Sequence, residues 1–282
     1  MSNNKIQIII DSTTNLAEEF MQHVTVIPLT VAFGTKEYLD DIDLSRDEFY
    51  EKLESEDCIP TTSQPSPAAF EKAFEEVRQN GADAIVITVA SELSGTYQSA
   101  CIAAEDYPEV TVIDSRSVAI GTGILVEYAI QCLQNGMEKE ELVDTITKKR
   151  EDICLLAMLD TVKYLVKGGR LSKTSAIAVN MLNIKPVIAI KDGVIVGLGK
   201  ARGSKRANNL LVEHVREKGI DFELPVLLAY SGRSKEILDN YINDNRDLWS
   251  DHVKTLSTSQ LCSVIGTHAG PGAIAAAFFA KK

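Results

Sequence analysis

The sequence has no apolar run approaching the roughly 18 residues of a membrane-spanning helix, so it predicts no transmembrane segment. Its opening stretch, MSNNKIQIII, has one lysine and the short run IQIII, too little for a secretion signal. Cysteine is sparse: five residues, at 58, 101, 132, 154 and 262, odd in number and never spaced C-x-x-C. That pattern argues against a disulfide framework and against a zinc site, and it predicts a cytoplasmic protein with no bound metal. Two catalytic signatures are missing as well. There is no G-x-x-x-x-G-K-[ST] phosphate loop, which speaks against a stand-alone kinase, and no G-x-S-x-G elbow, since Ser94 stands in E-L-S-G-T. Positive charge is also short: the net charge of -11 argues against nucleic acid as a partner.

What is present reads as a globular α/β chain. At 282 residues, with 45% hydrophobic and 24% charged side chains, it exceeds the size at which one core usually stops growing, so two domains are expected. The runs at 6–10, 83–89, 110–114, 153–159, 186–190, 194–198 and 225–230 predict strands buried on both faces, with helices between them. The clearest helix is 66–80, with Ser66 as its cap, Pro67 in its first turn, Phe70, Phe74 and Val77 on one face, and Gly81 beyond its end. A second, 204–218, has Ser204 as its cap and Leu210, Leu211, His214 and Val215 turned inward. The KDG turn at 191–193 predicts a hairpin. The expected architecture is therefore a three-layer domain with a parallel sheet over 1–150, followed by an α/β domain with a mixed sheet over 151–282.

Three polar clusters interrupt this pattern. "DSTTNL" (11–16) follows the first strand, where open α/β sheets bind ligands, although Asp11 or a threonine could equally cap the next helix. "PTTSQPSP" (60–67) and "SELSGTYQSA" (91–100) bring hydroxyls, among them Thr62 and Ser94, close to helix starts whose free N–H groups favour anions. "KGGRL" (167–171) supplies Arg170, whose guanidinium can grip a carboxylate with two hydrogen bonds. The segment "SVIGTHAGPGAI" (263–274) sets His268 among glycines, in what reads as a loop open to a ligand.

Basic residues are concentrated in one segment. Between 161 and 210 stand ten Lys or Arg (163, 167, 170, 173, 185, 191, 200, 202, 205 and 206) against the single acid Asp192, leaving 19 basic and 39 acidic residues elsewhere. This segment predicts a docking surface for an acidic partner or a phosphate, with Arg202, Lys205 and Arg206 as its docking residues.

Taken together, "DSTTNL", "PTTSQPSP", "LSGTYQSA", "KGGRLS", "LNIKPVIAI" and "GTHAGPGAI" resemble the DegV family, in its order and approximate spacing, over nearly the whole chain. The resemblance implies an apolar tunnel between two domains that holds a long-chain fatty acid as ligand, with no cofactor. It implies a non-enzymatic, lipid-binding role: the fatty acid's carboxyl is presented to a separate ATP-binding kinase subunit, which makes an acyl-phosphate for phospholipid synthesis. It also implies that Thr62, Ser94, Gly95, Arg170 and His268 are the ligand-binding residues. Two alternatives stay open at this point: a serine-type acyl hydrolase using Ser94 and His268, and a lipid shuttle or sensor with no kinase partner.

Overall fold

A computed structural model describes residues 5–56, 58–171, 183–249, 252 and 256–281. Ser172, Lys173 and Leu182, which belong to the stretches named above, lie outside the described residues.

Four strands form a parallel sheet in the order β2-β1-β6-β7: β1 (Ile6–Asp11), β2 (Val24–Ile27), β6 (Asp83–Thr88) and β7 (Val110–Asp114). Successive side chains on a strand point to opposite faces, and β1 uses both. Ile9 joins Val86 and the buried Phe70, Phe74 and Val77 of α2 (Pro67–Gln79), with α3 (Thr96–Ala104) beside them. Ile8 and Ile10 join Ile85 and Ile87 against α4 (Ile120–Gln134) and α5 (Lys139–Lys149). Helices on both faces explain why these strands read as unbroken apolar runs, and they make this part three layers deep.

A six-stranded mixed sheet follows, in the order β10-β9-β8-β13-β11-β12: β8 (Ile153–Met158), β9 (Ile184–Lys191), β10 (Val194–Arg202), β11 (Leu227–Tyr230), β12 (Ser257–Gln260) and β13 (Ile274–Phe279). The expected hairpin is there: β9 and β10 run antiparallel across Asp192 (φ 50°) and Gly193 (φ 80°), the left-handed pair a tight hairpin turn requires. The expectation that 194–198 is buried on both faces is not met. β10 is an edge strand with Val194 41% exposed, because α7 (Ser204–Lys218) covers only one side. Ser204 is the first residue of α7 and Gly203 holds its cap position, while Ser66 occupies the cap position of α2 without a side-chain cap bond. On α7, Leu211 and Val215 are fully buried, whereas Leu210 and His214 are half-buried.

A third, antiparallel sheet of β3 (Thr30–Phe33), β4 (Lys36–Leu39) and β5 (Thr61–Ser63) has the order β4-β3-β5. It packs with α1 (Arg46–Ser55) and α10 (Ser263–Ala269) around Val31, Phe33, Phe49, Tyr50 and Val264. Among the described residues the remaining α-helices are α6 (Lys163–Lys167), α8 (Glu236–Asp244) and α9 (Arg246–Trp249). Among the described residues no helix is long and apolar enough to cross a membrane.

α4 ties the two larger sheets together. Leu125, Val126, Ala129 and Ile130 face the parallel sheet, while Ile120 and Ile124 lie against Leu155, Leu227, Ala275 and Ala277 of the mixed sheet. Glu127 is buried in this helix, and its carboxylate accepts a 2.8 Å bond from the Ala17 N–H. Burial raises its pKa from 4.5 to about 7, against the lowering effect of that bond. The folded form therefore holds a proton that the unfolded chain releases near pH 4.5, so stability falls as pH rises from there to about 7. Glu127→Gln, which keeps an acceptor and cannot ionise, is expected to leave stability unchanged near pH 4. At pH 8 it should raise stability by about 1–3 kcal/mol. Chemical denaturation at the two pH values measures this.

Candidate functional site

Between the parallel and mixed sheets lies an apolar cleft. Val89, Leu93 and Val118 wall it on one side, and Leu155, Ile188 and Ala275 on the other. Four of its polar side chains are ones the sequence singled out: Thr62, Ser94, Arg170 and His268. Gly95 does not join them. It borders an open groove outside the cleft together with Ser94 and Arg170. A Cβ at Gly95 would lie 2.1 Å from Gln64 Oε1, so its bare backbone makes room for Gln64.

Each polar residue is held by its own element. Thr62 is on β5, opposite Val31, so a strand stands where the sequence suggested an irregular stretch before the start of α2. Ser94 lies in the turn before α3, where its Oγ is 2.8 Å from Thr96 Oγ1 and accepts from the Thr96 N–H at 3.3 Å. That turn is fixed from below by Asp11, which is fully buried and accepts from the Val89 N–H at 2.7 Å and from both the N–H and the hydroxyl of Thr13. Asp11 does not cap the next helical turn, whose cap position is Ala17 with no side-chain cap bond; it braces a loop instead, while Thr13 borders the cleft. Arg170 donates from Nε to the Leu93 carbonyl (3.1 Å) and from Nη1 to the Gly168 carbonyl (2.7 Å), which sets its guanidinium at the cleft's polar end.

His268 sits on α10 and not in a loop. Its Nε2 is 2.9 Å from Thr62 Oγ1. The neighbouring glycines make room for protein, not for ligand. A Cβ at Gly168 would fall 2.2 Å from His268 Nδ1, and one at Gly266 would fall 2.6 Å from the Phe49 ring. At Gly270 it would fall 2.2 Å from the Tyr164 ring. Asp40, which sequence reasoning missed, anchors the helix: its carboxylate accepts from the Ser263 N–H at the start of α10 and from the Ser12 hydroxyl. Its only sequence signal is the first place in the acidic run DDID after the short, mostly exposed strand KEYL, a pattern that marks many ordinary turns.

Electrostatics divide the roles. Burial, and then the Arg170 charge, lower the His268 pKa from 6.5 to about 4, so the imidazole is neutral at pH 7. Among these four residues Arg170 alone supplies positive charge. The serine hydrolase geometry is also missing: among the described residues no hydrogen bond joins Ser94 to His268, whose Nε2 is taken by Thr62, and His268 Nδ1 is buried with no partner to orient the ring. No three His, Cys, Asp or Glu side chains among the described residues converge on a metal position.

In the basic segment, Arg170 faces the cleft and Lys185 is paired with Asp160. Arg202 ends β10, and Lys205 and Arg206 lie in the first turn of α7; all three are exposed.

The family model described as uncharacterised protein, DegV family, matches residues 5–281. A DegV domain-containing protein of Caldanaerobacter subterraneus is 36% identical over 99% of both chains. Among solved structures, a fatty acid binding DegV family protein from Streptococcus agalactiae superposes with a TM-score of 0.86 at 30% identity, covering 99% of this chain and 100% of that one. A DegV family protein from Thermus thermophilus, described by its fatty acid binding, gives a TM-score of 0.87 at 26% identity, covering 98% of this chain and 100% of that one. Similar from end to end in both sequence and fold, the chain belongs to the DegV family.

Proposed function

We propose that this protein binds a long-chain fatty acid in the apolar cleft and presents its carboxylate to a separate ATP-binding kinase subunit, being itself no enzyme. The observation that carries the reading is the cleft's composition: apolar walls from the loops that follow the parallel strands and from the mixed sheet, and a polar end made by Thr62, Ser94, Arg170 and His268. Burying a 16-carbon chain at ~0.8 kcal/mol per methylene gains on the order of 10 kcal/mol before entropic costs, so release is slow. That suits a carrier whose ligand is modified in place. In the coupled reaction a carboxylate oxygen bonds to the γ-phosphorus of ATP as the β–γ bridging bond breaks, and ADP leaves with the electron pair. Arg202, Lys205 and Arg206, exposed and basic on an otherwise acidic chain, are the proposed docking residues for the kinase. We propose a cytoplasmic setting and a domain division near residue 150, since every strand of the parallel sheet precedes that point and every strand of the mixed sheet follows it.

Protein purified from a bacterial host is expected to carry close to one fatty acid per chain, seen in native mass spectra and identified after denaturing extraction. An empty chain that also takes up no acid from C14 to C18 would overturn the reading.

A further inference from the structure

α10 brings Val264, Ile265, His268 and Ala269 to the cleft, yet it has no cap of its own: Cys262 holds its cap position and makes no side-chain cap bond. Asp40, 2% exposed in the turn after β4, takes that place from outside the helix. Its Oδ1 accepts from the Ser263 N–H at 3.0 Å and its Oδ2 from the Ser12 hydroxyl at 2.9 Å. Ser12 follows β1 of the parallel sheet, Asp40 follows β4 of the third sheet and Ser263 follows β12 of the mixed sheet, so one carboxylate ties together segments leaving all three. Farther along α10, His268 Nε2 meets Thr62 of β5, in the same small sheet as β4. That sheet therefore grips α10 at two points, about 7.5 Å apart along the helix axis. Among the described residues the imidazole makes no hydrogen bond besides the one to Thr62, so the seating of α10 decides whether that bond forms.

We infer that Asp40 is a positioning residue for the ligand's head group: it does not border the cleft, and it acts through α10 to set His268 against Thr62 at the polar end. The inference rests on the proposed seating of a carboxylate at that end. An ionised acceptor holds an N–H more strongly than a neutral one, and a negative charge at a helix start is favoured by the helix dipole. The ionised form of Asp40 thus seats α10 more firmly than the protonated form. Burial, and then the charge of Asp41, raise the Asp40 pKa to about 6, against the lowering effect of its bonds to Ser12 and Ser263. The groups packed around it keep their charge state near pH 6. Arg46 of α1 stays cationic and is paired with Asp41, while burial keeps Tyr50 of α1 and the Cys262 thiol neutral.

The test measures hexadecanoate affinity in the wild type, Asp40→Asn, His268→Gln and the double variant, at pH 8 and pH 5. At pH 8, Asp40→Asn is expected to weaken binding about tenfold. At pH 5, where the wild-type carboxyl is itself protonated, the two proteins should agree to within about twofold. In the His268→Gln background, the same substitution should cost less than about twofold at either pH, because residues acting through one contact are not additive. A residue that only stabilises the fold would leave the affinity of the folded protein unchanged. Unchanged affinity at pH 8, a loss equal at both pH values, or a loss equal in both backgrounds overturns the positioning role and leaves the acyl-chain reading standing. NMR of the wild-type chain stripped of lipid tests the link with Asp40 intact. The His268 ring signals, identified by their absence in His268→Gln, should shift through pH 6 although the ring protonates near pH 4. Signals that stay flat between pH 5 and pH 7 also overturn the role. Failure of the wild type to bind hexadecanoate removes the acyl-chain reading and this inference with it.

Discussion

Gly123→Ala is expected to destabilise the protein by at least about 3 kcal/mol, the reverse of what helix propensity alone predicts. In the interior of an ordinary helix, alanine is better than glycine by about 1 kcal/mol. Here a Cβ would lie 1.9 Å from the Asn15 carbonyl oxygen, a contact with backbone that no side-chain rotation relieves. Asn15 cannot readily retreat, because its N–H bonds to the Ala119 carbonyl and its side-chain amide donates to the Gln260 carbonyl at 2.9 Å. α4 would have to lift away, and that would loosen its packing on both sheets at once. Gly136→Ala serves as the comparator. That glycine has φ +85° and its Cβ would meet nothing within 4 Å, so only the left-handed backbone is strained, at about 1–2 kcal/mol. Urea denaturation of both variants separates the two effects. A cost at Gly123 no larger than at Gly136 would refute the close-approach account.

Arg170→Gln is expected to weaken fatty acid binding at pH 8 by roughly 100-fold or more. Without the guanidinium, a bound carboxylate at the end of an apolar cleft would face only hydroxyls and, at pH 8, a neutral imidazole. Leaving a buried charge without its partner costs about 3–5 kcal/mol, and 1.4 kcal/mol is tenfold in affinity. The ligand can escape part of that cost by binding as the neutral acid, so in the variant the pKa of the bound acid rises above that of the free acid. The loss should therefore shrink as pH falls towards 5, while the wild type changes less. Removing Arg170 also lifts one of the two causes that lower the His268 pKa, so protonation of its imidazole towards pH 5 adds to the same slope in the variant. Arg170→Lys, which restores the charge without the planar fork, should recover part of the affinity. Displacement of a fluorescent fatty acid across the pH range measures all three, and equal affinity of Arg170→Gln and wild type at pH 8 would show that the carboxylate does not sit at Arg170.

The parallel sheet was legible because both its faces are covered, so β1, β6 and β7 appear as β-branched runs and Phe70, Phe74 and Val77 mark the helix beside them. β13 was not legible. Its sequence IAAAFF is rich in the residue that most favours helix, and only burial at the centre of the mixed sheet, with Ala275 and Ala277 towards α4 and Ile274, Ala276 and Phe278 on the other face, makes it a strand. β5 escaped notice because three hydroxyl residues carry no alternation. At the site, the residue types of Thr62, Ser94, Arg170 and His268 could be picked out one by one. Their division of labour could not, because the charge of His268 is decided by burial and by Arg170, both of which reach it through the fold. Asp40 was invisible for the same reason: its partners Ser12 and Ser263 lie at opposite ends of the chain.

α4 also constrains how such a chain can have been assembled. A fragment ending at residue 150 would keep the helix but bare its Ile120 and Ile124 flank, and one starting at 151 would leave Leu155, Leu227, Ala275 and Ala277 without their cover. Neither half is a self-sufficient module that could be shuffled into another gene and fold there. Inheritance of this architecture is therefore expected to be all or nothing, and a split or circularly permuted version should succeed only where the cut falls in surface loops that leave α4 pressed between its two sheets.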